Sequence, residues 1–198
     1  MNTSARARKK ALRRQLLRRR AALPAVRCEA AGVAICDRLQ ALPVVRRADA
    51  VHTYVDALPN EVATRPFIAW CLSQGKRVIV PVVRGCHPPM AHAEIRALDE
   101  LRHGPMDLLQ PEPNGARWWT PDQGVDLIVV PAVAYDRRGF RIGHGGGFYD
   151  TFLPLCAGTP TVGLIYDALR LVEVPVEDHD RAVDLVVTET GQWPDASS

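Results

Sequence analysis

Four glycines in five positions, Gly143, Gly145, Gly146 and Gly147, stand within RGFRIGHGGGFYD, residues 138–150, with Arg141 before them and Phe148, Tyr149 and Asp150 after them. Without a Cβ the backbone can approach a ligand closely. A glycine loop running into a helix near Phe148 turns N–H groups and the positive end of a helix dipole towards an anion. Arg141 adds a fixed cation. Asp150, in the first turn, offers the hard oxygen that suits a magnesium ion bridging phosphates. The chemistry these residues suit is phosphate binding; a plain glycine-rich turn is the competing reading. Two nucleotide fingerprints are excluded. No Lys-Ser/Thr follows, as a Walker A loop requires, and counting G-x-G-x-x-G from Gly143 puts Phe148 in the last glycine position.

Alternating helical and strand-like segments must position this loop. A basic amphipathic helix carries Leu12, Leu16 and Leu17 on one side, and a second helix runs from Pro24 to about Gln40. ADAVHTYV (48–55) is a short strand, and Thr64 and Pro66 open a helix closed by Gly75. KRVIVPVV (76–83) and MAHAEIRA (90–97) are strands; residues 102–124, rich in Pro, Gly and Trp, read as one long ordered loop. VDLIVVPAVAY (125–135) is a continuous apolar run expected of a central strand covered on both faces. After the turn DRRG and the glycine loop come a short helix (148–156), strands TVGLIY (161–166) and VDLVVTE (183–189), and a tail, 191–198, expected to fray. Such alternation predicts an α/β fold: a single three-layer α/β/α domain with a mostly parallel central sheet.

Composition narrows the function classes. Of 25 Lys/Arg, ten fall in residues 1–27, which hold no Asp or Glu; the rest of the chain has 15 basic against 22 acidic residues, a net −7. A basic arm on an acidic body suits nucleic acid, a membrane surface, an anionic small ligand, or simply a solvated helix face. The arm also meets the crude Arg-rich, acid-free pattern of a mitochondrial presequence. The longest apolar run, Leu127 to Tyr135, is interrupted by Pro131 and is too short to span a bilayer. Five cysteines without a CxxC motif argue against a disulfide framework or a cysteine zinc site, and for a reducing, cytoplasmic setting.

PAVAYDRRGFRIGHGGGFYDTFL (131–153) resembles the signature Pro-Gly-x-x-Phe-Asp-x-x-Gly-x-Arg-Leu-Gly-x-Gly-x-Gly-Tyr-Tyr-Asp-x-x-Leu of the 5-formyltetrahydrofolate cyclo-ligases. KKALR (9–13) matches their N-terminal Lys-x-x-Leu-Arg element, NEVAT (60–64) their Glu-x-x-Thr segment, QPEP (110–113) a mid-chain proline motif, and residues 162–189 the closing Val-Pro…His-Asp…Val-Thr-Glu pattern. The likeness runs from about residue 6 to 190. It implies ATP-dependent cyclisation of 5-formyltetrahydrofolate to 5,10-methenyltetrahydrofolate through a phosphorylated formyl oxygen, with magnesium as cofactor, ATP and the folate as partners, and a monomer in the cytoplasm. By resemblance, Lys9, Arg13, Arg141, Gly143, His144, Gly145, Gly146, Gly147, Phe148 and Tyr149 bind ATP. The same resemblance implies that Glu61 and Arg141 are catalytic, that Glu61, Asp56, His144, Gly145, Gly146, Gly147 and Phe148 line the folate site, and that Asp150 and Asp180 hold the metal.

The chain departs from the pattern at Ala132, at His144 where Tyr or Arg is common, at Phe148 for Tyr, at Asp56 where relatives are often apolar, and at Thr151 and Phe152 where an Arg is usual. Glu177, Asp178 and His179 read as a solvated turn beside Asp180, and Asp184 as a residue opening the last strand. His52, His87, His92 and His103 lack metal-ligand spacing and read as surface or packing residues, and Trp118 and Trp119 as packing. The competing readings are a nucleic-acid-binding or regulatory protein using the arm, and a relative that kept the fold without folate turnover.

Overall fold

Strand order explains where the functional loops meet. The computed structural model describes residues 4–178 and 180–194. In chain order its elements are α1 (Ala5–Ala21), α2 (Ala25–Ala41), α3 (Pro43–Arg47), β1 (Ala50–Thr53), α4 (Arg65–Ser73), β2 (Arg77–Val82), β3 (Ala91–Ile95), β4 (Leu101–His103), β5 (Leu109–Pro111), β6 (Arg117–Trp119), β7 (Leu127–Val130), β8 (Ala134–Tyr135), β9 (Arg141–Ile142), α5 (Phe148–Phe152), β10 (Thr161–Leu164), β11 (Leu185–Val187) and β12 (Gln192–Trp193). The main sheet has the order β12-β11-β10-β7-β1-β2-β3-β6. β11, β10, β7, β1 and β2 run parallel, and β12, β3 and β6 add antiparallel edges. This is the α/β architecture with a mostly parallel sheet expected from the sequence.

Side-chain alternation on the central strands splits the core. Leu127 and Val129 of β7 pack with Val51, Val78, Val80 and Leu164 against the apolar faces of α2 and α4, through Ile35, Leu39, Phe67 and Ile68. Ile128 and Val130 pack on the opposite face with Ile79, Tyr135, Phe152 and Trp119. Both faces of β7 are therefore covered, which is why its sequence is apolar without alternation.

Three expectations are corrected. The run 125–135 is not one strand: Pro131 supplies no ladder N–H, so β7 ends at Val130 and the chain leaves the sheet to form the separate β8–β9 ribbon. The segment 102–124 is not one loop, because β4 and β5 pair with each other and β6 pairs with β3 at the sheet edge. The tail expected to fray contributes β12, held by the buried Trp193, whose Nε1–H donates to the Asp136 carbonyl at 2.9 Å. Residues 195–198 lie outside the described residues, as do 1–3 and His179.

Tyr135 swings beneath the sheet, with its hydroxyl donating to the Val130 carbonyl at 2.8 Å. Its ring occupies the space a side chain at position 163 would need: a Cβ on Gly163 would lie 2.3 Å from the Tyr135 ring. Gly163→Ala is therefore expected to destabilise the fold by about 1–3 kcal/mol, the usual cost of overpacking, read as a lower denaturant midpoint at unchanged slope.

Candidate functional site

The loops that follow β1, β7 and β10 all leave the carboxyl edge of the parallel strands, where open α/β sheets bind ligands. They carry Glu61, the glycine loop and Asp180 respectively. Helix α1 lies along them. Ser4 caps it by accepting from the Ala7 N–H at 3.3 Å. Lys9, Arg13, Leu16 and Arg20 follow the helical period and share one face. Lys9, Leu16 and Arg20 are buried, while Lys10, Arg14, Arg18 and Arg19 are exposed.

From that face Lys9 forms an ion pair with Asp180 and lies 3.7 Å from Glu177. Arg13 Nε donates to the Gly143 carbonyl at 2.6 Å. The Arg13 guanidinium also passes against Gly145, whose φ of +108° and absent Cβ accommodate it. Gly147, with φ +74°, turns the chain into α5. On the β8–β9 ribbon the buried Arg141 donates to the Arg181 carbonyl at 2.8 Å and forms an ion pair with Asp150. Arg141 thus ties together the two segments that carry Asp150 and Asp180. Glu177 and Asp180 also close a local turn, the Glu177 N–H donating to Asp180 Oδ2 at 2.7 Å.

Glu61 is almost fully buried. Its Oε2 accepts from the backbone N–H groups of Ala57 and Leu58, both at 3.3 Å, and its Oε1 lies 3.7 Å from His144 Nε2. Burial pushes its carboxyl above the ordinary value, opposed by the Arg20 charge and the two backbone donors. Asn60, in a left-handed conformation with φ +51°, donates from its amide to the carbonyls of Arg20 and Leu23, at 3.0 Å each. It closes the C-terminal end of α1 and so fixes Glu61 relative to the basic face. The Tyr166 hydroxyl donates to the Glu61 carbonyl at 3.2 Å. His144 is held low, at about 4, by burial and then by the charges of Arg20 and Arg13. The Tyr149 hydroxyl is buried without a partner among the described residues, and burial and the nearby Glu61 charge push it up. Phe148 folds its ring back over Gly146, where a Cβ would lie 2.7 Å away.

Asp56, expected as a folate contact, also holds the start of α4. Its Oδ1 accepts from the N–H groups of Thr64 and Arg65, both at 2.9 Å, and its Oδ2 from the Arg65 guanidinium at 3.1 and 3.0 Å. Both oxygens are committed to the first turn of α4. Thr64 stands at the N-cap position of that helix, as expected, and its hydroxyl donates to the Tyr54 carbonyl at 2.7 Å. Asp56 and Glu61 both line a cavity of about 290 Å³ that Arg65 and Tyr166 also border.

No group of three or more His, Cys, Asp or Glu able to hold a metal occurs among the described residues. A magnesium ion needs fewer protein ligands when phosphates supply the rest. Asp150 and Asp180, hard carboxylates on segments joined by Arg141, fit that mode. Sequence reasoning missed Arg20, Asn60 and Asp136. The signal for Arg20 was present, since it repeats the Lys9–Arg13 face two turns further on. Asp136 is fully buried and accepts from the N–H groups of Arg138, Phe140 and Val174 at 2.9, 3.1 and 2.9 Å.

His52 and His92 are packing residues: both are buried, with His52 Nε2 3.0 Å from His92 Nδ1, beside Phe152 and Trp119. Trp118 is exposed under the Arg84 guanidinium. Burial lowers His52 well below its ordinary value and His92 to about 4, with His144 also near 4. The unfolded chain therefore binds protons below about pH 6.5 that the native state refuses. Stability is expected to fall as pH drops from about 6.5 towards 4, by up to about 1.4 kcal/mol per pH unit for each such histidine. Denaturant titrations across that range check this, and a His92→Gln variant should show the shallower slope.

The model of the 5-formyltetrahydrofolate cyclo-ligase family matches residues 5–189. A 5-formyltetrahydrofolate cyclo-ligase of Mycolicibacterium smegmatis is 32% identical over 188 residues, covering 91% of this chain and 93% of its own. One from Escherichia coli is 31% identical, covering 89% of this chain and 97% of its own. The solved structure of a 5,10-methenyltetrahydrofolate synthetase from Aquifex aeolicus superposes with a TM-score of 0.80 at 28% identity, over 93% of this chain and 91% of that one. A second synthetase, from Mycoplasma pneumoniae, has the same fold at 22% identity, with a TM-score of 0.73 over 91% of this chain and 98% of its own.

Proposed function

Because the chain belongs to the 5-formyltetrahydrofolate cyclo-ligase family, we propose that it is the ATP- and magnesium-dependent ligase that closes 5-formyltetrahydrofolate to 5,10-methenyltetrahydrofolate, releasing ADP and phosphate. The observation that carries the nucleotide half of this reading is the joining of α1 to the glycine loop, through Arg13 Nε and the Gly143 carbonyl at 2.6 Å. It brings cations from the start of the chain to a backbone anion cradle 130 residues later.

A formamide oxygen is a poor leaving group, so N10 cannot add to the formyl carbon and expel it. In the proposed sequence the formyl oxygen takes the γ-phosphoryl group of ATP, ADP leaves, and an iminium phosphate remains. N10 then attacks the activated carbon, loses its proton, and the C–O bond breaks to release phosphate. Such catalysis rests on positioning and charge neutralisation, and no protein nucleophile is needed. Lys9, Arg13 and Arg141 neutralise the phosphates, and the N–H groups from Gly143 to Gly147 orient them. Glu61 faces the folate near its reacting nitrogens, where a buried carboxylate with a raised affinity for protons is suited to take up the N10 proton. His144, Gly145, Gly146, Gly147 and Phe148 form the wall between the two substrates, with Tyr149 behind it. Asp150 and Asp180 would hold magnesium, which would supply positive charge to neutralise the phosphates. A monomer acting in a reducing cytoplasm belongs to the same proposal.

The purified protein, given 5-formyltetrahydrofolate, magnesium and ATP, is expected to produce the methenyl absorbance with one ADP per product. No ATP-dependent rise at high enzyme concentration would overturn the reading.

A further inference from the structure

Arg20 has the most deeply buried charge on α1, with 3% of its surface exposed, and no step above uses it. A guanidinium withdrawn from water is destabilising unless it is paired or hydrogen-bonded. Its Nε has no partner among the described residues, and its Nη1 lies 3.2 Å from His144 Nε2. Arginine has only donors and keeps its charge. The contact therefore has one sense: Arg20 donates and the imidazole nitrogen accepts. A ring whose Nε2 accepts must carry its proton on Nδ1. Two cations from α1, Arg13 and Arg20, bear on this ring, and Glu61 Oε1 approaches the same Nε2 at 3.7 Å from the loop after β1. Glu61 in turn is faced by Arg20, by Asp56 of its own loop and by the Ala57 and Leu58 N–H groups, and its charge is felt by Tyr54 and by Tyr149 of α5.

We propose that Arg20 is a positioning residue for the cyclisation: by donating to Nε2 it fixes His144 as the neutral Nδ1–H tautomer inside the glycine loop, and through its charge it keeps the Glu61 carboxylate beside that ring. The histidine is one of the positions where this chain departs from the common pattern of the loop, and the buried arginine answers it. A neutral ring with a defined donor lets the loop present a hydrogen bond without adding a second positive charge next to Glu61. A protonated His144 would instead pair with Glu61 and draw its carboxylate away from the folate. The catalytic half of the inference rests on the folate reading above; the tautomer does not.

Histidine-selective ¹⁵N spectra of the full chain test it, with His144 assigned by His144→Gln. In the unsubstituted protein His144 is expected as the Nδ1–H tautomer, titrating near pH 4. An Nε2–H tautomer or a mixture there would overturn the proposal without any variant. In Arg20→Met, His144 is expected to titrate at least one pH unit higher with mixed tautomers, and Arg20→Lys to restore part of the original behaviour. In turnover, Arg20→Met is expected to lose about 10- to 100-fold in kcat, with KM for ATP within about twofold, and to move the acid limb of the pH profile upwards. A folded Arg20→Met protein with an unchanged His144 titration, or with altered titration and unchanged kcat, would contradict the positioning role. Absence of turnover in every form would sink the folate reading and leave the tautomer result standing.

Discussion

Replacing Asp150 with alanine is expected to lower kcat/KM by about 100- to 1,000-fold, the range seen when one preorganised electrostatic partner of a transition state is lost. Asp150 pairs with Arg141, and its carboxylate is 37% exposed at the start of the five-residue α5. Substitution removes a proposed magnesium ligand and leaves the Arg181 carbonyl as the one hydrogen-bond partner of the Arg141 side chain among the described residues, so that it no longer ties the glycine loop to the segment of Asp180. Arg141 is buried, so losing one of its partners is expected to cost about 1–3 kcal/mol; the melting temperature should fall by a few degrees with the protein still folded. Rates measured against magnesium concentration separate the two losses. A loss of metal affinity is partly recovered at high magnesium; displacement of Arg141 is not. Near-normal turnover in this variant would show that the carboxylate has neither role.

Asp136→Ala is expected to destabilise the protein by about 3–5 kcal/mol, in the range of breaking a buried ion pair by removing one partner. The carboxylate is fully buried, pairs with Arg138, and serves three backbone N–H groups, each of which would be left without its acceptor. It closes the turn between β8 and β9 and ties that turn to Val174. Next to it, Gly139 has φ +79° and its absent Cβ would sit 2.3 Å from the Val183 carbonyl. The ribbon that carries Arg141 therefore docks on the chain leading to β11 through this turn as well as through Arg141 and the Arg181 carbonyl. A denaturant midpoint close to the unsubstituted value would contradict that account.

The sequence carried the architecture wherever pattern and burial agree. The parallel strands were legible because each is covered on both faces, and α2 and α4 because their apolar period and terminal proline or glycine are intact. The run 125–135 was misread because a window of apolar residues does not register that Pro131 lacks the N–H a ladder needs. Short edge strands such as β6 and β12 escaped because two or three residues carry no period; their pairing is decided by the neighbouring strand and by single anchors such as Trp119 and Trp193. For the site, the face of α1 was half read. Lys9 and Arg13 were found from a motif, whereas Arg20 lay in an arginine cluster that looked uniformly solvated. That Asp56 also holds the start of α4 was not legible, because this depends on Arg65, nine residues away and invisible to local spacing. Part of the arm's charge is explained without a polyanion, since Lys9, Arg13 and Arg20 are turned inward to the loops.

The central claim is that the formyl oxygen receives the phosphoryl group and departs with it. One turnover with 5-formyltetrahydrofolate labelled with ¹⁸O in the formyl group, in unlabelled water, tests this directly. The account predicts one ¹⁸O atom in each inorganic phosphate released together with methenyl product. Unlabelled phosphate, with the ¹⁸O recovered in water, would mean that ATP is hydrolysed apart from the cyclisation and would contradict the mechanism.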